Sequence, residues 1–367
     1  MAVNSKPFYL PWIDGLRAIA ALAVVVHHGP TLTAEPFVGF KNFLGWFGVD
    51  LFLVLSAFLL SRLLKLEFLA TGTVDIKKFF VRRILRIWPL YFFFITASLI
   101  YGVYYHVLDF KELAGWYFSH LTFTQNLAAS VHSYSPFPFA AHLWTIALEE
   151  QAYLLMPIFI AICLRDIDSK QLTKILLVVS VVFVVVRLSV VLLGRDHPYV
   201  WVSPLRADTF LFGIYLGLCT RVGSSMPKSS WLALSAFVGA VAIVCIALYF
   251  GPPGLSNISE VVGYSMVGAL CCLLIFSIDK SNYPAKLLSL KPMRHLGKIS
   301  YGIYVFHIFG LWVSEGIMRR IGVDSTTSRL ALGIVITVGL ADVSYRLLER
   351  PFLLLKERVT VIQSRLA

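Results

Sequence analysis

The run WIDGLRAIAALAVVVHH at residues 12–28 is the most informative segment of the sequence, because it is apolar and helix-forming and yet carries ionisable side chains. Arg17 and His28 lie eleven residues apart, and eleven helical steps return a side chain to within about 20° of its starting direction. The two therefore share the stripe Arg17-Ala21-Val24-His28 and are separated by about 16 Å along the axis. Placing an ionisable side chain at this depth in a membrane raises the free energy of insertion by roughly 2.5–3.5 kcal/mol. We therefore expect the stripe to line a protein-enclosed site inside a membrane.

The composition indicates an integral membrane protein. The chain is 58% hydrophobic and 14% aromatic, with a mean hydropathy of +0.78, whereas soluble proteins average about 45–50% apolar residues. Asp14 and Arg17 interrupt the first apolar run and no small-residue cleavage site follows, so we predict a retained span rather than a signal peptide. The five cysteines fall within predicted spans without zinc-ligand spacing, which indicates core packing and no metal.

Hydropathy predicts an all-α integral membrane protein, with ten transmembrane helices in a single domain over residues 1–367. Each predicted span has a length that suits a bilayer. We expect no appended soluble domain, because the chain ends shortly after the tenth span. The polar and aromatic residues 107–141 are expected to form an external or re-entrant segment that lines a cavity mouth. The spans are 12–29, 44–62, 87–106, 142–164, 174–193, 205–221, 231–250, 260–278, 299–318 and 329–348.

Basic residues alternate between the loops of this topology. One set of loops and both termini carry 22 Lys and Arg residues, and the opposite set carries five. The positive-inside rule then places both termini in the cytoplasm of a multi-pass protein of the bacterial cytoplasmic (inner) membrane. The same distribution accounts for the net charge of +12 through contacts with membrane lipids, and we expect no nucleic-acid partner.

Asp14, Arg17 and His28 form the first candidate constellation. Asp14 and Arg17 are spaced i,i+3 and can pair at the cytoplasmic end of the span. His28 suits a general base because imidazole titrates near neutral pH. Its neighbour His27 points about 100° away on the helix. The alternative for His28 is a packing role, with the ring bonded to a neighbouring carbonyl.

Three further carboxylates lie inside apolar spans. Asp50 needs a partner, either an Arg or His of the first constellation or a backbone amide. Glu149 and Glu150 are adjacent and point to different faces, so one can pair with an arginine while the other meets a cavity. A catalytic role and a buried ion pair both remain open for them. Ser56, on the same span as Asp50, is better explained by helix packing than as a nucleophile.

Arg83 and Arg86 face one way just before the third span. Pro89 is expected in the first turn of that helix, where its missing donor is tolerated. Clustered arginines at such a position suit phosphate recognition through bidentate hydrogen bonds. The alternative is a topology determinant that contacts lipid headgroups.

Six motifs in order carry a resemblance to a known family. They are DGLR at 14–17 with His28, GVDLF at 48–52, RRILRIWPLY at 82–91, LWTIALEEQ at 143–151, ISYGIY at 299–304 and ERPF at 349–352. Together they resemble the bacterial acyltransferase-3 family of membrane O-acyltransferases, in its stand-alone form, over almost the whole chain. Ala57 stands where a glycine usually follows the serine, and Ala152 where an aromatic usually follows the glutamine. These departures leave the substrate details open but not the class.

The resemblance implies transfer of an acyl group, usually acetyl from acetyl-CoA, to a hydroxyl of a cell-envelope sugar. Acyl-CoA would be a substrate rather than a bound cofactor, held through its phosphates by Arg17, Arg83 and Arg86. His28 would remove the acceptor proton or become acylated transiently. A carboxylate would orient the imidazole, as the third member of a triad does. The candidates for that carboxylate are Asp14, Asp50, Glu149 and Glu150.

The expected partners are acyl-CoA, membrane lipids and a carbohydrate acceptor such as an exopolysaccharide or O-antigen, and a homo-oligomer is compatible with the sequence. The alternative hypothesis is a transporter of acyl groups or lipid-linked sugars that catalyses no reaction of its own, since buried charges and ten helices also fit that class. A third hypothesis is that the protein is a structural partner in a polysaccharide assembly complex.

Overall fold

The computed structural model describes residues 8–30, 35–132, 135–194, 204–219, 257–280, 282–360 and 362. The elements in these ranges are helical, which confirms the all-α class. The predicted span 231–250 lies outside the described residues. The helices are α1 (Pro11–His28), α2 (Glu35–Thr71), α3 (Ile76–Tyr104), α4 (Phe110–Leu121), α5 (Gln125–His132), α6 (Trp144–Asp166), α7 (Ser169–Leu192), α8 (Asp208–Cys219), α9 (Asn257–Lys280), α10 (Asn282–Leu288), α11 (Lys291–Lys298), α12 (Ser300–Arg320), α13 (Thr326–Ser344) and α14 (Arg350–Arg358).

Six helical segments in the described ranges are long and apolar enough to cross a membrane. A seventh is α11 with α12, if this pair, bent by 72°, counts as one span. The number of ten spans stays a prediction, as do the sides on which the termini lie. The six are Phe43–Thr71, Ile76–Tyr104, Ala141–Asp166, Ser169–Leu192, Val261–Asp279 and Thr326–Arg358.

Helix α1 lies at the centre of the bundle and contacts α2, α10, α11 and α12. Small residues allow this close approach: a Cβ added at Gly48 would lie 2.8 Å from the carbonyl oxygen of Ala20. Asp14 is buried and Arg17 is half-buried. The charges of α1 are tolerated because protein, rather than lipid, surrounds most of this helix.

Helix α3 begins earlier than the sequence predicted. The Asp75 side chain accepts a hydrogen bond from the backbone N–H of Lys78 at 2.9 Å, which caps the helix before Ile76. Pro89 therefore lies in the helix interior, so its predicted place in the first turn is wrong. The early start places Arg83 and Arg86 on the helix itself, with their side chains toward its neighbours.

The described residues of the segment 107–141 are tied to the bundle by α4, which contacts α3, and by α5, which contacts α6. Gln125 on α5 donates to the Tyr91 hydroxyl at 3.0 Å and to the Leu143 carbonyl at 3.1 Å. Asn126 exchanges two amide hydrogen bonds with Gln151, at 3.0 and 2.8 Å. The polar residues of this segment therefore fasten α5 to α3 and α6.

Candidate functional site

A cavity of about 180 Å³ lies between α1, α2, α3, α6 and the start of α12. Five of its described lining residues are basic and three are acidic, so the cavity has a positive balance. The basic residues are Arg17, Arg83, Arg86, Lys298 and Lys356, and the acidic residues are Asp14, Glu149 and Glu357.

The three arginines predicted to bind phosphate all line this cavity. Arg86 lies 3.9 Å from the Glu349 carboxylate, an ion pair that links α3 to the π-helical stretch Tyr345–Glu349 before α14. Arg83 makes no ion pair or hydrogen bond within the part of the chain that the structure describes, and its Nε is buried. A guanidinium held without a protein partner beside a cavity is suited to bind an anion.

Lys298 and Lys356 were not singled out from the sequence. Both belong to stretches that were counted only as basic, cytoplasmic ends of spans. Lys298 directly precedes the ISYGIY motif, and that position is the signal that could have drawn attention to it. Lys356 reaches the cavity from α14, and no local pattern indicated this placement.

The two adjacent glutamates occupy different environments, as their spacing predicted. Glu149 lines the cavity and accepts hydrogen bonds from the Tyr153 hydroxyl at 3.0 Å and from Ser56 at 3.4 Å. Glu150 accepts from the Trp88 indole N–H at 3.3 Å. Their catalytic assignment stays a prediction.

Asp14 also lines the cavity, and its carboxylate accepts a hydrogen bond from the Tyr9 hydroxyl at 2.7 Å. Arg294 on α11 donates to the same hydroxyl oxygen at 3.3 Å. Asp14 thus belongs to the contacts that hold the N-terminal residues against α11.

Asp50 has a partner that the sequence did not indicate. Its Oδ1 lies 2.5 Å from Arg206 Nη2, and both side chains are fully buried. Rings of Trp46, Trp144 and Tyr264 lie 4.3–5.3 Å from the Arg206 guanidinium carbon. The partner of Asp50 is therefore Arg206, on the segment before α8. It is neither an Arg or His of the first span nor a backbone amide, the partners that the sequence had predicted.

A second buried ion pair lies next to this one. Arg187 on α7 binds both carboxylate oxygens of Asp208 on α8, each at 3.1 Å. Arg187 was missed from the sequence. The bidentate geometry ties α7 to α8 and indicates a structural role for this part of the bundle.

His28 lies in a group of histidines at the far end of α1. Its Nδ1 is 3.0 Å from the Val24 carbonyl oxygen and 3.2 Å from His307 Nε2 on α12. The rings of His27 and His28 are 4.7 Å apart, and those of His142 and His307 are 4.4 Å apart. His28 is half-buried, whereas His142 and His307 are buried.

The stripe that joins Arg17 to His28 is closed between its ends. Ala21 and Val24 are fully buried in the protein core, and His28 is not among the residues that line the cavity. The expectation that the whole stripe lines one enclosed site is therefore wrong for the described residues, because only Arg17 of the stripe lines the cavity. The physical reason is side-chain size, because small residues at these positions let α2, α12 and α13 pack directly on the stripe.

Tyr304 stands between the cavity and the histidines. It lines the cavity together with Thr145. Its hydroxyl donates to the His142 carbonyl at 2.5 Å, so Thr145 Oγ1, at 2.6 Å, is the donor to the Tyr304 oxygen. The Tyr304 and His142 rings are 5.2 Å apart. This pair of hydroxyls closes the deep end of the cavity.

None of the four carboxylates proposed to orient His28 forms a hydrogen bond with it in the described structure; its ring contacts Val24 and His307 instead. Within the same ranges, no group of three or more His, Cys, Asp or Glu side chains has an arrangement that could hold a metal ion. The site thus combines a basic cavity with a nearby, partly accessible imidazole.

These features define a helical membrane protein with a basic internal cavity and a buried histidine group. The family model described as an acyltransferase domain matches residues 10–346, and the chain belongs to the acyltransferase-3 family. No solved structure matches the chain significantly.

Two curated relatives show the extent of the similarity. The peptidoglycan O-acetyltransferase OatA of Listeria monocytogenes serovar 1/2a is 28% identical over 362 residues, which cover 94% of this chain and 56% of that protein. The O-acetyltransferase OatA of Staphylococcus aureus (strain NCTC 8325) is 26% identical over 358 residues, which cover 94% of this chain and 57% of that protein. The chain thus spans a little over half the length of these relatives.

Proposed function

We propose that the protein transfers an acetyl group from acetyl-CoA to a hydroxyl of a cell-envelope polysaccharide. The observation that carries the proposal is the cavity in which Arg17, Arg83 and Arg86 meet, on a chain of the acyltransferase-3 family. The relatives' names specify O-acetylation, and in one case peptidoglycan as the substrate. A glycan is therefore the acceptor class to test first.

The donor would enter the cavity with its phosphates on the cations. Guanidinium groups bind phosphate through two parallel hydrogen bonds, and Arg83 has no competing protein partner among the described residues. The predicted orientation places these cations near the cytoplasm, where acyl-CoA is available. The thioester would then point toward Tyr304 and Thr145 at the deep end.

The chemical step would use His28 as the base. Its Nε2 removes the acceptor hydroxyl proton while the oxygen attacks the thioester carbonyl carbon. The carbon–sulfur bond breaks, and the CoA thiolate leaves and takes the proton from the imidazolium. Protons and electrons balance without a further reactant. Since Tyr304 separates the cavity from the histidines, its side chain must shift for the thioester to reach His28.

Purified protein in lipid nanodiscs, with acetyl-CoA and soluble peptidoglycan fragments, tests this activity. Mass spectrometry should detect O-acetylated glycan in the presence of the wild-type protein and none with His28→Ala. His27→Ala is the matched control, because the His27 ring forms its hydrogen bond with the Lys41 carbonyl, at 3.2 Å. This variant should retain most of the activity. Equal loss in both variants would contradict the assignment of His28.

Sealed vesicles of known orientation test the path of the two substrates. With the cytoplasmic face outward, external acetyl-CoA should support transfer to acceptor trapped in the lumen, because the cavity and His28 lie at opposite ends of α1. Transfer only when both substrates share one side would contradict a site that crosses the membrane. Uptake of label into the lumen without acetylated glycan would instead support a transporter.

A further inference from the structure

His28 and His307 meet across two helices that are far apart in the chain. His28 ends α1, and His307 lies in the third turn of α12. Their ring centroids are 4.8 Å apart, with 3.2 Å between His28 Nδ1 and His307 Nε2. That separation is a hydrogen-bond distance, so one of these two nitrogens carries the proton and the other carries a lone pair.

The backbone decides which nitrogen is the donor. His307 Nδ1 lies 2.6 Å from the Tyr304 carbonyl oxygen. A carbonyl oxygen can only accept, so His307 Nδ1 carries hydrogen and, in the neutral ring, Nε2 carries the lone pair. His28 Nδ1 faces that lone pair and the Val24 carbonyl, at 3.0 Å. Since both are acceptors, His28 Nδ1 is the protonated nitrogen and shares its hydrogen between them.

This assignment leaves the other nitrogen of His28 as the base. With hydrogen on Nδ1, the lone pair of the neutral His28 ring is on Nε2. We propose that His307 is the positioning residue for this base, holding the His28 ring in the Nδ1–H tautomer with Nε2 ready to accept a proton. The proposal rests on the function proposed above. It assigns to a second histidine the orienting role that the sequence had suggested for a carboxylate.

The arrangement also has a consequence during transfer. When His28 Nε2 takes the acceptor proton, the imidazolium donates from Nδ1 to the His307 lone pair, which stabilises its charge without moving a second proton. His307 can act this way because its own Nδ1–H is held by the Tyr304 carbonyl. A neutral acceptor stabilises the cation less than a carboxylate does. Orienting partners of metal-bound histidines contribute about 10- to 100-fold to activity, and by analogy we expect an effect in this range here.

Two substitutions separate positioning from packing. In His307→Gln the side-chain oxygen can take the place of Nε2 and accept from His28, whereas His307→Leu fills similar space without an acceptor. We expect His307→Leu to lower kcat by about 10- to 100-fold with little change in KM for acetyl-CoA. His307→Gln should recover much of that loss. His120→Gln is the control, because His120 on α4 is equally buried and its Nδ1 lies 3.3 Å from the Tyr91 hydroxyl; it should keep kcat near that of the wild type.

A readout independent of activity tests the tautomer directly. The ¹⁵N chemical shifts of histidine rings in labelled protein distinguish protonated from unprotonated nitrogens, and the His28 signals are identified by their loss in His28→Asn. We expect Nδ1–H in the wild type and a mixture of tautomers in His307→Leu. An Nε2–H tautomer in the wild type, or wild-type kcat in folded His307→Leu, would overturn the proposal. Absent acetyl transfer with the expected tautomer would count against the proposed function alone.

Discussion

Arg83→Ala should weaken acetyl-CoA binding more than any other single arginine substitution on α3. Arg83 lines the cavity and makes no ion pair or hydrogen bond among the described residues, so its guanidinium is available to a donor phosphate. A hydrogen bond to a charged group contributes about 1.5–3 kcal/mol. At 1.4 kcal/mol per tenfold, this corresponds to about 10- to 150-fold in Kd. Because Arg83 is half-buried, its contact with the phosphate remains partly in water, and we expect a loss of affinity of about tenfold.

Neighbouring arginines provide matched controls for this measurement. Arg82 is one residue away but is held by Glu67 at 3.0 Å, so Arg82→Ala should lower thermal stability and leave donor affinity nearly unchanged. Arg86 forms an ion pair with Glu349, so Arg86→Ala should have an intermediate effect on the affinity for acetyl-CoA. Arg83→Lys should restore part of the loss, since lysine keeps the charge but lacks the bidentate fork.

Equilibrium binding of radiolabelled acetyl-CoA to protein in nanodiscs, without acceptor, measures these affinities directly. Each variant is first shown to be folded by its thermal unfolding midpoint. Unchanged donor affinity in folded Arg83→Ala would refute the reasoning and leave the α3 arginines as topology signals. Equal weakening in Arg82→Ala and Arg83→Ala would show a general effect of positive charge rather than a specific contact.

Three further substitutions probe other contacts. Tyr304→Phe removes the hydroxyl that Thr145 contacts at 2.6 Å and leaves buried polar groups unsatisfied, so the thermal midpoint should fall by an amount that corresponds to about 1–3 kcal/mol. Asp50→Asn leaves the buried Arg206 charge uncompensated and should destabilise the fold by about 3–5 kcal/mol, seen as loss of folded protein in detergent; an unaltered midpoint would contradict the buried ion pair. Ser56→Ala should retain near wild-type transfer, and abolished transfer in that variant would revive Ser56 as a nucleophile.

The sequence predicted which faces of single helices matter, but not what packs on them. Helical spacing placed Arg83 and Arg86 on one side of α3, and the structure brings both to one cavity with Arg17. The same reasoning put Ala21 and Val24 on a stripe that lines the site, whereas both are buried in the core and neither lines the cavity. Periodicity defines directions around one helix axis, and the identity of the neighbour in each direction depends on tertiary packing.

Partners far apart in the chain were the least predictable. Asp50 and Arg206 are separated by 156 positions, and His28 and His307 by 279. Asp50 and His28 stand out in the sequence as ionisable groups inside apolar spans, because the cost of burial makes such groups conspicuous. The cost shows that a partner exists, but several arginines and carboxylates could have satisfied it. Only the three-dimensional arrangement decides among them.

Under the proposed function, the distribution of charge along α1 suits one helix to two chemically different substrates. Arg17, at one end, meets the other cations of the cavity, where the proposed donor would keep its phosphates near water. His28, about 16 Å further along the axis, lies among histidines without a carboxylate hydrogen-bonded to it in the described ranges. A neutral base at that depth avoids the cost of a permanent buried charge. The uncharged thioester of the proposed donor is the part suited to reach this base once Tyr304 shifts, so the separation would select which end of the donor reacts.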